Sequence, residues 1–258
     1  FPLATVALTH VVHGRHAYKG LALLAATAMM LRLELVCLAV PAYLWTWWHH
    51  QRRFVYVFMT GAVTCAGSIA LSVLVDSYFW RKRFLWPEGH AVIFNVIEGR
   101  SAEWGVSPPW TYVVQDLPRI LFATFPLALL GCTRRSSFRS PLVLLICTHV
   151  GLMSFLAHKE WRFLVYIVPL CNMLAAQGAS MLIRTYLGRW LMLGLVGTSA
   201  ALWILGTHVS IYNYPGGEAL RILHTQMQEA QVVHIDTLAA MTGVSLFQSI
   251  HLARPAHS

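Results

Sequence analysis

Between residues 54 and 75 the chain carries no charged side chain. At 1.5 Å per helical residue such a run is long enough to cross a hydrocarbon layer about 30 Å thick. A backbone in that medium must satisfy its own N–H and C=O groups, and an α-helix does so within one segment. Apolar runs recur at 18–48, 120–132 with its flanks, 141–157, 163–183 and 190–208. Composition points the same way: 57% of residues are hydrophobic, 11% are charged, and mean hydropathy is +0.58. The expected fold class is an all-α polytopic membrane protein. Residues 1–208 would form the multi-span transmembrane domain, with the lipid bilayer as partner, and 209–258 a tail.

What interrupts the apolar pattern carries the chemistry. Residues 154–169 read SFLAHKEWRFLVYIVP, so His158, Lys159, Glu160 and Arg162 sit between two membrane-competent runs. Charge at membrane depth costs about 2.5 to 3.5 kcal/mol per residue on insertion scales, and is kept where it faces a cavity, a partner or a ligand. On a helix His158 and Arg162 would be four apart and Lys159 and Arg162 three apart, crowding three cations onto one side. A point charge beside a planar guanidinium fork suits a phosphate. A second reading also stands: a stop-transfer cluster in which Lys159 and Arg162 snorkel to headgroups while Glu160 pairs with one of them.

The remaining features constrain less. Residues 1–12 read as the end of a helix whose beginning lies elsewhere, and no basic segment ahead of a cleavable apolar core is visible. His10, His13 and His16 recur at intervals of three, a spacing that splays around a helix axis with no acid nearby; interfacial cations fit better than a metal site. The run 18–48 holds Arg32 and Glu34, two apart, which suits a turn between two short helices or an internal ion pair fixing their packing. Trp45, Trp47 and Trp48 lead into a basic stretch at 49–53, as where a helix leaves a bilayer. Gly61, Ala66, Gly67 and Ser68 offer a small-residue face for helix contact.

Residues 76–118 form the longest polar connection. It holds Asp76, Glu88, Glu98, Glu103 and Asp116 beside Trp80, Trp86, Trp104 and Trp110. Tryptophan faces stack on sugars and also settle at headgroups, so the stretch reads as a carbohydrate platform or an interfacial lid. In the tail, a turn then a helix is expected at 213–217, and a strand-like segment then a helix from 233. There His234 and Asp236 read as acid/base groups or an ordinary structural pair. The five cysteines lie in apolar runs without C-x-x-C spacing, which supports neither a disulfide framework nor zinc. The net charge of +9 comes without a long basic run, so nucleic acid has little behind it. If the short Arg-bearing loops at 49–53, 133–139 and 184–189 are cytoplasmic, then 76–118, the 158–162 cluster and the tail share the opposite side. All ten acids except Glu34 then fall on that side.

His158-Lys159-Glu160-x-Arg162-Phe163, ahead of a helix containing Pro169, resembles the motif of the dolichyl-phosphate-mannose-dependent mannosyltransferases of the endoplasmic reticulum, a family with the GT-C fold. The resemblance implies a GT-C-like helix bundle with a long luminal loop at 76–118 and a small luminal C-terminal tail. It would be multi-pass in the endoplasmic reticulum membrane with a luminal active face. The donor would be dolichyl phosphate mannose and the acceptor a dolichyl-diphosphate oligosaccharide, with no cofactor and no metal. His158, Lys159 and Arg162 would hold the donor phosphate, Glu160, Arg32 and Glu34 would support them, and Asp76, Trp86, Glu88 and Trp104 are candidates for the acceptor loop.

Three further stretches resemble the branch that adds an α-1,6-linked mannose to the N-glycosylation precursor. They are 75–80 through Trp86-Pro87-Glu88; Trp104-Gly-x-Ser-Pro108 with Leu117-Pro-Arg119; and the tail's NYPGG with VHID and AAMTGVSLF. Siblings acting on GPI precursors share the first motif. A transporter and an inactive homologue are the rivals of another class, although no self-similar halves are present. The family's acidic base sits in a luminal loop after a first membrane helix, and residues 1–19 do not match it. The base is therefore expected upstream of Phe1, and the fragment alone is not expected to be active. No D-x-D occurs in the chain, in keeping with a lipid monophosphate donor.

Overall fold

A computed structural model describes residues 1–14, 16–49, 53–134, 141–226 and 234–244. Parts of the basic loops, at Arg15, 50–52 and 135–139, and Val233 with 245–247 of the tail motifs, lie outside the described residues. Two compact units form, Phe1–Leu195 and Val196–Ser258.

In the first unit the helices run α1 (Pro2–His13), α2 (Ala17–Met30), α3 (Val36–His49), α4 (Phe54–Trp80), α5 (Pro87–Val92), α6 (Leu117–Leu121), α7 (Thr124–Cys132), α8 (Pro141–Ser154) and α9 (Val168–Leu182). A long helix α10 (Tyr186–Ser210) leads into α11 (Pro215–Gln226) and the short α12 (Thr237–Met241) of the second unit. Among the described residues there is no strand, and 234–236, expected to be strand-like, are irregular up to the start of α12. The Pro-Gly-Gly of 215–217 is the first turn of α11, not a separate turn before it.

Among the described residues, three helical stretches are long and apolar enough to cross a membrane: Phe54–Trp80, Trp161–Leu182 and Tyr186–Asn213. The uncharged run 54–75 lies inside the first. The stretch expected to cross at 120–132 is broken, with 116° between Tyr112–Leu121 and Thr124–Cys132. Proline explains the place of the break. In a continuous helix the Pro126 ring would strike the carbonyl four residues back, on Phe122. Phe122 instead leaves the helix, with φ 47°.

The run 18–48 is likewise two helices, parted where Arg32 turns extended and a 3₁₀ turn, Leu33–Leu35, begins. Helices α2, α3, α8 and α9 enclose the core, with Leu21, Leu24, Leu38, Leu142, Leu145 and Ile167 fully buried. A close backbone approach joins α7 and α9. A Cβ on Gly131 would lie 2.0 Å from the Leu174 carbonyl, and one on Gly178 equally close to that of Leu127. The small-residue face read on α4 is only partly used: Gly61 lies under the Tyr43 ring and Ser68 is buried, but a Cβ on Gly67 would meet nothing.

Candidate functional site

Helix α8 ends at Ser154, and the chain becomes helical again only at Trp161, as a 3₁₀ segment running to Ile167. Pro169 accounts for part of this, because it gives the Val165 carbonyl no N–H in an α-helical register. His158, Lys159 and Glu160 therefore lie in irregular backbone, and the expectation of three cations on one helical face is overturned.

The four charged residues divide into two arrangements. Arg162 Nη2 donates to Glu160 Oε1 at 2.7 Å, its Nε engages the other carboxylate oxygen, and His158 Nε2 lies 3.2 Å from Oε1. Lys159 turns elsewhere. Its Nζ donates to the carbonyls of Leu156 at 2.6 Å and Ser107 at 3.1 Å, committing two of an ammonium's three donors. Burial lowers the Lys159 pKa. The Arg162 side chain keeps 59% of its surface exposed, against 27% for Glu160.

Partners from the 76–118 connection hold this segment. Ser107 N–H donates to the Ala157 carbonyl at 3.0 Å, and Glu160 N–H donates to the hydroxyl of Tyr112, whose side chain is fully buried, at 3.2 Å. That connection is built of short helical turns, including α5 and a 3₁₀ turn, Arg100–Trp104. Its residues 107 and 112 are thereby joined to the 157–160 segment.

A second polar cluster surrounds the break between α2 and α3. Glu88 Oε2 accepts the Leu33 N–H at 2.7 Å, and the Trp86 indole N–H donates to the Met29 carbonyl at 2.9 Å. Both bonds satisfy backbone groups that a helix terminus leaves without partners. Trp86 also lies over Gly89, where a Cβ would meet its ring at 2.2 Å. Tyr166 of the 3₁₀ segment donates its hydroxyl to Glu34 Oε1 at 3.3 Å. Burial raises the Glu88 pKa; the Leu33 N–H opposes this, the Glu34 charge adds to it, and Arg32 works against it.

The structure thus brings His158, Glu160 and Arg162 together, and Arg32, Glu34, Trp86 and Glu88 together. The 3₁₀ segment joins the two groups through Tyr166. Glu34 lies near enough to Glu88 for its charge to be felt there. Asp76 accepts a hydrogen bond from Ser72 of its own helix at 2.7 Å, and Trp104 is 67% exposed. Tyr112, Tyr166 and His149, whose Nε2 lies 2.7 Å from the Phe163 carbonyl, escape sequence reasoning. His149 and Tyr166 are single residues in apolar runs and Tyr112 one aromatic of the 76–118 connection, and the partner of each lies elsewhere in the chain.

An apolar groove of about 340 Å³ between α2, α3 and α4 includes none of the candidate residues. Among the described residues no group of three His, Cys, Asp or Glu is placed to hold a metal, and His10 and His16 meet edge to face at 5.6 Å. What the arrangement offers is a guanidinium fork on a mostly exposed side chain, sharing the Glu160 carboxylate with an imidazole, and a partly desolvated ammonium held separately by two backbone carbonyls. This is a set for an anion such as a phosphate monoester or diester.

A probable Dol-P-Man:Man(7)GlcNAc(2)-PP-Dol alpha-1,6-mannosyltransferase of Schizosaccharomyces pombe is 33% identical over 256 residues, covering 90% of this chain and 44% of its own length. The Saccharomyces cerevisiae Dol-P-Man:Man(7)GlcNAc(2)-PP-Dol alpha-1,6-mannosyltransferase is 32% identical over 265 residues, 97% of this chain and 48% of its own. A GPI alpha-1,2-mannosyltransferase 3 of Danio rerio is 32% identical over 104 residues, 40% of this chain and 19% of its own. The chain spans less than half the length of these curated relatives. No solved structure matches it. The model of the Alg9-like mannosyltransferase family matches residues 3–251, nearly the whole chain, and the chain belongs to that family.

Proposed function

We propose that this chain carries the donor-phosphate site of an inverting mannosyltransferase, which moves mannose from dolichyl phosphate mannose to Man7GlcNAc2-PP-dolichol in an α-1,6 linkage. The observation that carries the reading is the Arg162 side chain, 59% exposed and sharing the Glu160 carboxylate with His158, in a chain whose relatives over 90% and 97% of its length are named for that transfer. Passing mannose from a β-linked lipid phosphate to an α-glycoside inverts the anomeric centre, so a single in-line displacement suffices. Arg162, His158 and the remaining Lys159 donor stabilise charge growing on the departing dolichyl phosphate. A general base, which the family resemblance puts ahead of Phe1, takes the proton of the acceptor hydroxyl. In the resting arrangement Glu160 occupies Arg162, so the donor phosphate displaces a carboxylate from the fork.

The enzyme works as a multi-pass protein of the endoplasmic reticulum membrane with its active face in the lumen. Supporting this are the short Arg-bearing loops of the sequence, which the positive-inside rule puts on the cytoplasmic side, and the hydrogen bonds that join Ser107 and Tyr112 to the 157–160 segment. The bundle is GT-C-like, with 76–118 as the luminal connection and 209–258 as a luminal tail. The Danio rerio relative favours a second reading, transfer to a GPI precursor. The test is mannosyl transfer in membranes lacking the endogenous enzyme, with the seven-mannose lipid-linked oligosaccharide and a GPI precursor as alternative acceptors. The chain is compared as given and in its full encoded form. Extension of the seven-mannose acceptor alone is expected; extension of the GPI precursor alone would replace the proposal by the second reading.

A further inference from the structure

We infer that His149 is a positioning residue for the phosphate site, holding the 3₁₀ segment Trp161–Ile167 in the rotation that presents Arg162. The inference rests on the reading of Arg162 given above. His149 lies on α8 with no exposed surface, and its Nε2 is 2.7 Å from the Phe163 carbonyl oxygen. A carbonyl only accepts, so Nε2 carries the proton and donates. Nδ1 is buried without a hydrogen-bond partner. An apolar side chain could fill the same space without burying that lone pair. What the imidazole adds is therefore its bond to Phe163.

That bond is one of three along the segment. Glu160, at its N-terminal cap, donates its N–H to Tyr112; Phe163 accepts from His149; Tyr166 donates its hydroxyl to Glu34. Residues 163 and 166 are one turn of a 3₁₀ helix apart and Glu160 is its extended N-terminal cap, so the segment is attached at its start, its middle and near its end. Arg162 is off that register, with 59% of its side chain exposed. Residue 163 is the middle attachment and the one next to Arg162 in sequence. Its release would let the fork rotate while the ends stay tied.

The experiment measures mannosyl transfer per mole of membrane-inserted protein, in the full encoded chain, for His149→Leu, His149→Gln, Arg162→Ala and the His149→Leu/Arg162→Ala double variant. Leucine keeps the apolar bulk without the donor, and the glutamine amide can place an N–H near the position of Nε2. We expect His149→Leu to raise the donor KM and lower kcat/KM for the donor by about tenfold, with the acceptor KM unchanged. His149→Gln should recover most of that loss, and His149→Leu should add little in the Arg162→Ala background. An unchanged donor KM in His149→Leu, a His149→Gln as impaired as His149→Leu, or effects that multiply in full in the double variant would each overturn the inference. Full activity of Arg162→Ala would instead overturn the phosphate site itself, so the two failures are distinguishable.

Discussion

The two polar clusters use similar side chains for different ends. At the α2–α3 break, Trp86 and Glu88 give their polar atoms to the Met29 carbonyl and the Leu33 N–H, so the cluster mends a helix interruption. At 158–162 the pairing is internal to the side chains, Glu160 with Arg162 and His158, and the Arg162 side chain remains mostly exposed. A polar group that satisfies buried backbone is tied to the fold. One held by an exchangeable ion pair can pass to a ligand. Changes at the first cluster should therefore be read in stability, and changes at the second in activity.

The largest effect is expected at Arg162. Arg162→Ala should lower transfer by about a hundredfold or more, by analogy with loss of a transition-state donor. Its thermal midpoint in detergent should stay near that of the wild type, because an exposed ion pair contributes about 0 to 1 kcal/mol. Equal losses of activity and stability would erase the contrast between the clusters. Glu88→Ala should invert the pattern, costing about 1 to 3 kcal/mol by leaving the Leu33 N–H unpaired while transfer per folded molecule changes only a few-fold. Denaturation monitored alongside transfer checks both halves.

The pH dependence sharpens the same contrast. Burial, aided by the Glu34 charge, raises the Glu88 pKa in the folded chain above its unfolded value. A raised carboxyl contributes most where it is protonated in both states, and that contribution is lost as pH rises through the folded pKa. The stability of the wild type relative to Glu88→Gln should accordingly fall as pH climbs above the ordinary carboxylate range. A flat difference would mean that Glu88 does not feel its burial. The smallest effect is Trp86→Phe, which keeps a ring over Gly89 but loses the bond to the Met29 carbonyl. About 1 kcal/mol of stability and no change in donor KM are expected, and transfer kinetics with thermal unfolding would show it.

Much of the fold is legible in the chain because bilayer physics acts on composition. An uncharged run gives α4, and a charged pair two residues apart marks the interruption that becomes the α2–α3 break. The break at Phe122 is harder to see, since it depends on a proline four residues later and leaves the apolar pattern intact. At the site, residues 158–162 stand out by the cost of charge among apolar neighbours. Their arrangement does not, because spacing presupposes a helix and the segment is shaped by Pro169, Ser107 and Tyr112. Glu88 and Trp86 look like acceptor contacts for the same reason. A loop rich in acids and indoles gives no sign that two of them reach back more than fifty residues to helix ends.

The central claim is that the fork of Arg162 holds the phosphate of the donor lipid. Its most direct test is equilibrium binding of dolichyl phosphate to the purified full encoded chain in lipid nanodiscs, comparing wild type with Arg162→Ala and Arg162→Lys. A dissociation constant raised by about tenfold or more in Arg162→Ala is predicted, with only partial recovery in Arg162→Lys, since an ammonium lacks the planar fork. Affinity for dolichyl phosphate that is the same in all three would contradict it.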